Sequence, residues 1–472
     1  VADTLFLTGR LAQTSLQRTL AAIDALDVDY EVRDLGLQVA GLMTASMIER
    51  RLGDVEASRI IVPGLCSGDL DALSERLGIP VQKGPVDLKD LPEFFGENAR
   101  QRALDEYAIE IFAEIVDAPD LSIDQIVERA SYYRDNGANV IDVGCLPGRE
   151  FAHLEASIAR LKNEGFRVSI DSLETDELIR GANAGADYLL SLKESTLWIA
   201  DQVDATPILI PESAGDMDSL YRAIDHLESR GMNYFADAIL DPINFGMTAS
   251  ILRYAELAER YPDAPIFMGI GNVTELIEAE TAGMTAVLCG IASELSVSAF
   301  LTTEVADHAR SVIRQTDLAR RIMHAADEDR SLAKGYDSGL LTTHERKPFP
   351  TSAEEVRELA AQVRDPSYRI QVSDNGINIY NRDGLHSSNN PFELFPRLGV
   401  EDDGSHAFYL GVELARAQIA FELGKRYVQD RPLNWGSAGE AAEFDEASHE
   451  YAKPGTTLKL RKSKGKRPDT EQ

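Results

Sequence analysis

The sequence predicts an α/β protein, with a central (β/α)8 TIM-type barrel, a small α/β (Rossmann-like) domain before it and a small α+β domain after it. Three observations predict this. From Tyr107 to Met323, short β-branched runs ending in polar or glycine residues alternate with segments of helical length, the pattern of eight β/α units. Ahead of them, apolar strands alternate with amphipathic helices, which points to a small parallel sheet. Behind them lie a hairpin signature and one long helix. The boundaries read as 1–100, 101–324 and 351–452, with a linker at 325–350 and a disordered basic tail at 453–472.

In the N-terminal part, Thr4 to Leu7, Tyr30 to Asp34 and Ile60 to Val62 read as strands and Ser15 to Leu26 as a helix. The turns Thr8-Gly9-Arg10 and Gly64-Leu65-Cys66-Ser67-Gly68-Asp69 sit where open sheets place ligands, but neither is a dinucleotide or phosphate loop, so tight turns are the simpler reading. The expected barrel strands are Ala108 to Ile115, Val140 to Val143, Val168 to Ile170, Tyr188 to Leu190, Pro207 to Ile210, Ala238 to Leu240, Ile266 to Met268 and Ala286 to Leu288. After a charged stretch at Ala325 to Lys334, strands at Tyr368 to Val372 and Ile377 to Tyr380 flank the turn Asp374-Asn375-Gly376. A helix from Ala407 to Val428 follows, with Leu410, Leu414, Ala417 and Phe421 on one face.

Composition narrows the function. A chain of 472 residues with 44% hydrophobic and 27% charged residues is an ordinary globular protein. Its net charge of -32, with 12 Lys against 35 Arg, is not ordinary. Such a surface repels nucleic acid and anionic membranes, so neither is an expected partner, and it matches a protein adapted to high salt. Cys66, Cys145 and Cys289 form no disulfide or zinc pattern, and there is no apolar run of about 18 residues or signal-peptide pattern, so a reducing cytoplasm is expected.

Working residues in a barrel lie just after its strands. The candidates are Asp142 in Val140-Ile141-Asp142-Val143-Gly144, Asp171 in Ser169-Ile170-Asp171-Ser172, Asp241 in Ile239-Leu240-Asp241-Pro242, and Asn272 in Gly269-Ile270-Gly271-Asn272. Carboxylates accept from the amine and ring N–H groups of an aminopyrimidinone. Each Asp alone could equally cap the helix that follows it. Lys193, beyond the fourth strand, and Arg149, beside the second, are the candidate catalytic cations, although Lys193 could also be a surface lysine paired with Glu194 or another carboxylate. No metal ligand set is evident.

These segments resemble the motifs of the pterin-binding barrel family, which includes dihydropteroate synthases and pterin-dependent methyltransferases. Ile141-Asp142-Val143-Gly144-Cys145-Leu146-Pro147-Gly148 resembles "DIGG…RPG", Ser169-Ile170-Asp171-Ser172 resembles "SID[TS]", and Ile239-Leu240-Asp241-Pro242-Ile243-Asn244-Phe245-Gly246-Met247-Thr248 resembles "ILDPGIGFGKT". The likeness implies that Asp142, Asp171, Asp241 and Asn272 line a pterin pocket. Three synthase features are missing. The "NVTPDSF" loop, whose Asn helps hold metal and pyrophosphate, is replaced by Ala113-Glu114-Ile115-Val116-Asp117-Ala118-Pro119-Asp120. The lysine after the seventh strand and the Arg-x-His after the eighth give way to Gly271-Asn272-Val273-Thr274-Glu275 and Leu301-Thr302-Thr303-Glu304-Val305. The Gly-x-x-Asn form is closer to the "GLSN" of corrinoid-linked methyltransferases.

With its N-terminal Phe6-Leu7-Thr8-Gly9-Arg10-Leu11-Ala12 domain, the chain resembles archaeal and methylotroph dihydropteroate synthase-like proteins associated with tetrahydromethanopterin or related one-carbon carriers. His406-Ala407-Phe408-Tyr409-Leu410-Gly411 and Tyr427-Val428-Gln429-Asp430 resemble a small domain related to the methanopterin S-methyltransferase A subunit, with His406 either facing a ligand or capping a helix. The resemblance implies a transferase joining a dihydropterin methyl diphosphate to an arylamine, with Mg2+ where more positive charge is needed and a homodimer left open. Methyl transfer from a methylated pterin to a corrinoid or thiol, and non-catalytic pterin binding, are the alternatives.

Overall fold

The computed structural model describes residues 2–23, 29–95 and 102–439. The expected tail at 453–472 and the end of the expected first helix at Leu26 lie outside them. The chain separates into two units, one taking in Val1–Gln101 and Thr343–Asn434, the other Arg102–Thr342 and Trp435–Glu440.

In the first unit, β1 (Ala2–Thr8), β2 (Tyr30–Asp34), β3 (Ala57–Val62) and β4 (Val81–Lys83) form a parallel sheet in the order β2-β1-β3-β4. The first helix is Arg10–Ala21, which starts straight after β1 rather than at Ser15. In the C-terminal segment of the same unit, β13 (Arg369–Ser373), β14 (Gly376–Asn381) and β15 (Gly384–Ser388) form an antiparallel sheet. Its long helix is Gly404–Leu423, not Ala407 to Val428, because Gly424 adopts φ 61° and caps it.

The second unit is a closed barrel of eight parallel strands: β5 (Glu110–Ile115), β6 (Val140–Gly144), β7 (Val168–Asp171), β8 (Tyr188–Leu192), β9 (Thr206–Leu209), β10 (Phe235–Ala236), β11 (Ile266–Gly269) and β12 (Val297–Thr303). Alternation along the strands sorts the side chains into two layers. Ile111, Ala113, Ile115, Ile141 and Val143 pack with the surrounding helices. Phe112, Val140, Leu190, Ile208, Phe267 and Ala299 make a separate cluster that fills the barrel, where Phe112 meets Tyr188 and Phe267 edge-on at 5.0 Å each. Burying such a side chain contributes about 1.5–3 kcal/mol. The lower barrel is therefore a plug, and inward residues further along the strands face the C-terminal mouth.

Helix Ile123–Asp135 shows how local sequence sets the outer layer. Ser122 and Gln125 form a reciprocal capping box, and Ile126, Ala130 and Tyr133 recur on the buried face.

Two expected strands are displaced. Ala238 to Leu240 is not a strand: β10 ends at Ala236, the Asp237 carboxylate accepts the Ile239 N–H at 2.7 Å, and Ile239 turns to φ 62°, which breaks the ladder. Ala286 to Leu288 lies inside helix Thr281–Glu294, where Thr281, Thr285, Leu288 and Ala292 are buried at helical spacing; the eighth strand is β12. A three-residue apolar run does not tell these two periods apart. The stretch from Ala325 likewise begins as helix, since Val312–Glu328 continues through it. Among the described residues no helix is long and apolar enough to cross a membrane.

Candidate functional site

Three carboxyl groups converge at the mouth. Glu114 and Asp142 are partners across β5 and β6, Asp142 faces Ser169 across β6 and β7, and Asp171 is the partner of Gly144. Each is an inward position one step beyond the apolar plug. A carboxylate oxygen from each of Glu114, Asp142 and Asp171 lies within 4.8 Å of the others. Gly144 makes room for them, since a Cβ there would stand 3.0 Å from a Glu114 oxygen and 3.0 Å from the Val116 Cα.

Asp142 is the extreme member. It is 0% exposed, and neither carboxylate oxygen has a hydrogen-bond partner among the described residues. Burial first, then the charges of Asp171 and Glu114, hold its pKa well above the usual carboxyl range, and the Ser169 hydroxyl offsets this only in part. Burial, with the Asp171 and Glu275 charges, pushes Glu114 up to about 8. Burial pushes Asp171 up to about 7.

Beside the cluster opens a cavity of about 450 Å³, lined by Glu114, Asn272, Glu275, Thr302 and Thr303 with Leu276, Leu301 and Val305. Gly269 and Gly271 also line it, and a Cβ at Gly269 would meet nothing within 4 Å. The lining contains no Lys or Arg. The Asn272 amide nitrogen donates to the Leu240 carbonyl at 2.8 Å, which leaves its oxygen for a ligand. Glu275 accepts the Val305 and Ala306 N–H groups at 3.2 and 2.6 Å, tying down the loop after β12.

Asp241 stands apart from the triad. The Arg253 guanidinium donates to one of its oxygens at 2.8 Å, the Ser250 hydroxyl reaches the same oxygen at 3.0 Å, and the Arg253 contact lowers its pKa. Arg253 also donates to the Ala238 and Ile239 carbonyls at 3.2 and 2.8 Å. The left-handed Ile239, a costly conformation for a β-branched residue, is thus braced from both sides by Arg253 and Asp237. Burial lifts Asp237 to about 6, opposed by the Tyr254 hydroxyl.

The two candidate cations differ. Lys193 precedes the short helix Glu194–Asp201 and is half-buried, and among the described residues no hydrogen bond or ion pair engages its ammonium. Glu194, its expected surface partner, is bonded instead to Arg222 at 2.7 and 2.8 Å. Arg149 is held two-handed by Asp120 of the loop after β5. Cys66, Cys145 and Cys289 are free, and burial with the neighbouring Glu177 holds the Cys145 thiol far above its ordinary pKa. His406 has a capping partner, its ring nitrogen 2.7 Å from Asp403.

Glu114 and Glu275 are the site residues that sequence reasoning passed over. The signal for Glu114 was a carboxylate two positions beyond Phe112 near the end of a largely apolar strand, Glu110-Ile111-Phe112-Ala113-Glu114-Ile115. Glu275 carried none, because it follows the strand by a full helical turn.

Fold and site together define the class, a parallel β/α barrel with an acceptor-rich pocket at the C-terminal ends of its strands. A family described as "Family of unknown function (DUF6513)" matches residues 2–86. An uncharacterized protein of Methanocaldococcus jannaschii is 25% identical, the match covering 91% of this chain and 98% of that one. Among solved structures, the 7,8-dihydropteroate synthase of Vibrio fischeri is 15% identical with a TM-score of 0.38, covering 48% of this chain and 95% of that one. The Burkholderia cenocepacia dihydropteroate synthase complexed with 7,8-dihydropteroate is 15% identical with a TM-score of 0.38, covering 47% and 92%.

Proposed function

We propose that this chain binds a pterin at the C-terminal mouth of the barrel and acts as a transferase of the dihydropteroate synthase type. It would join a 6-hydroxymethyl-dihydropterin diphosphate to an arylamine, in the assembly of a folate- or methanopterin-type one-carbon carrier. The observation that carries the pterin-binding part of this reading is the cavity wall, which offers carboxyl, carboxamide and hydroxyl groups and no Lys or Arg. Such a wall suits a neutral, donor-rich ring. Of the expected acceptors the Asn272 carboxamide lines this cavity, and Asp171 and the second oxygen of Asp241, which do not line it, would complete the set for the amine and ring N–H groups.

In the reaction the bond from the pterin methylene to the diphosphate oxygen breaks, and its electron pair leaves with the diphosphate. The ring-stabilised cation is then attacked by the amine, which forms the C–N bond and loses a proton. The unengaged Lys193 ammonium is the group we assign to the departing diphosphate; Arg149 joins it where its pair with Asp120 opens, and Mg2+ would add the charge the wall lacks. A cytoplasm of high salt, as in salt-loving archaea, is the setting we infer from the charge of -32.

A second reading, methyl transfer from a methylated tetrahydropterin to a corrinoid or thiol, is favoured by one observation: Asn272 lies in a wall free of Lys and Arg, and this chemistry releases no diphosphate. The test is incubation with the pterin diphosphate and p-aminobenzoate or a ribosylated arylamine. Amine-dependent diphosphate release is expected, and methylpterin-dependent methyl transfer without it would move the assignment to the second reading. In calorimetry Asp171→Asn and Asp241→Asn should each weaken pterin binding by about 1–3 kcal/mol, since a donor then faces a donor. Unchanged affinity in both would remove the pterin from this mouth.

A further inference from the structure

We propose that Glu114, Asp142 and Asp171 form a binding site for a hard divalent cation of the Mg2+ or Mn2+ class at the floor of the barrel mouth. Three adjacent strands deliver these side chains, each with a carboxylate oxygen within 4.8 Å of the other two. Convergence alone would not make a site. The decisive observation is Asp142, which is 0% exposed and whose oxygens have no well-formed hydrogen bond among the described residues, with only the nearby Ser169 hydroxyl easing its charge. A carboxylate taken out of water without a donor is costly, and buried charges are retained in proteins where a counter-charge or a metal compensates them.

Elsewhere in the barrel the fold supplies that compensation from its own side chains. Asp187 has Lys162 at 2.6 Å, Glu110 has Arg167 at 2.6 Å and Asp241 has Arg253 at 2.8 Å. Among the described residues no Lys, Arg or His forms an ion pair with any member of the triad. The missing counter-charge is what a divalent cation supplies. An all-oxygen donor set selects a hard ion over one that prefers sulfur or imidazole. The adjoining cavity, which Glu114 lines, brings water to that side of the triad, and Mg2+ keeps several waters among its ligands. The assignment does not depend on the pterin reading, because it concerns the metal alone.

The test uses the full chain, stripped with chelator and kept in molar KCl so that the acidic surface does not gather cations indiscriminately. Mn2+ binding is followed by electron paramagnetic resonance and by calorimetry, with Mg2+ as competitor. One tight Mn2+ per chain is expected, displaced by Mg2+. Asp142→Asn and Glu114→Gln should each weaken it by about tenfold or more, whereas Asp124→Asn, on an exposed helix face, should leave it unchanged. Should Asp142→Asn fail to fold, the half-buried Glu114→Gln decides the matter by itself. Absence of a tight site in the wild type, or equal affinity in wild type and Glu114→Gln, would overturn the proposal.

Discussion

Several carboxyl groups in this barrel are governed by burial, and one outside the Glu114–Asp142–Asp171 triad shows the consequence cleanly. Glu304 follows β12, accepts the Ile313 N–H at 3.1 Å, and is pushed up to about 7, mainly by burial. A folded-state pKa above the unfolded one means that the native state holds its proton more tightly. The stabilising contribution is then fully present below the unfolded pKa and is lost as pH rises towards the folded one. Glu304→Gln keeps an acceptor for Ile313 but cannot ionise. Its melting temperature relative to wild type should therefore rise between about pH 5 and about pH 8. A difference that stays flat across that range would show that Glu304 is solvated in the folded protein.

At the scale of the element, the mouth depends on where each strand stops. β6 ends in a glycine because a side chain there would collide with the Val116 backbone and a Glu114 oxygen, both at 3.0 Å, and with the Ile115 carbonyl at 3.1 Å. Gly269 at the end of β11 meets nothing within 4 Å. Gly144→Ala should destabilise the protein by about 1–3 kcal/mol, the usual range for overpacking, and Gly269→Ala should be close to neutral. Chemical denaturation of the two variants checks this. Equal midpoints would mean that the end of β6 has slack that the geometry does not indicate. β10 works by the opposite principle: two residues of strand give way to a braced, left-handed Ile239 that carries the chain to Asp241.

For the whole molecule the surplus of negative charge dominates. With 79 Asp and Glu against 47 Lys and Arg, no arrangement of ion pairs can neutralise the remainder. Repulsion among those carboxylates acts over a Debye length of about 10 Å at 0.1 M salt and about 3 Å at 1 M. We expect the melting temperature to rise between about 0.1 M and about 2 M KCl, as that screening sets in. Exposed Arg–carboxylate pairs such as Arg160–Glu164 weaken over the same range, but each contributes little. A melting temperature that is level or falling would end the high-salt reading.

Strand periodicity and turn residues made the barrel and its flanking sheets legible from the sequence alone, and polar residues at strand ends singled out Asp142, Asp171, Asp241 and Asn272 as candidates. These are local properties, since side-chain alternation and the residue after a strand are both read within a few positions. The sequence failed where a short apolar run fits two periods, as at Ala286 to Leu288, and where a side chain ends a strand, as Asp237 does for β10. Only the tertiary structure decided which charges meet. Glu114 joins Asp142 and Asp171 through the registers of β5, β6 and β7, while Arg253 claims Asp241 from a helix twelve residues further on. Whether a carboxylate is compensated depends on distances of a few ångströms between strands far apart in the chain, because Coulomb and desolvation energies vary steeply over just that range.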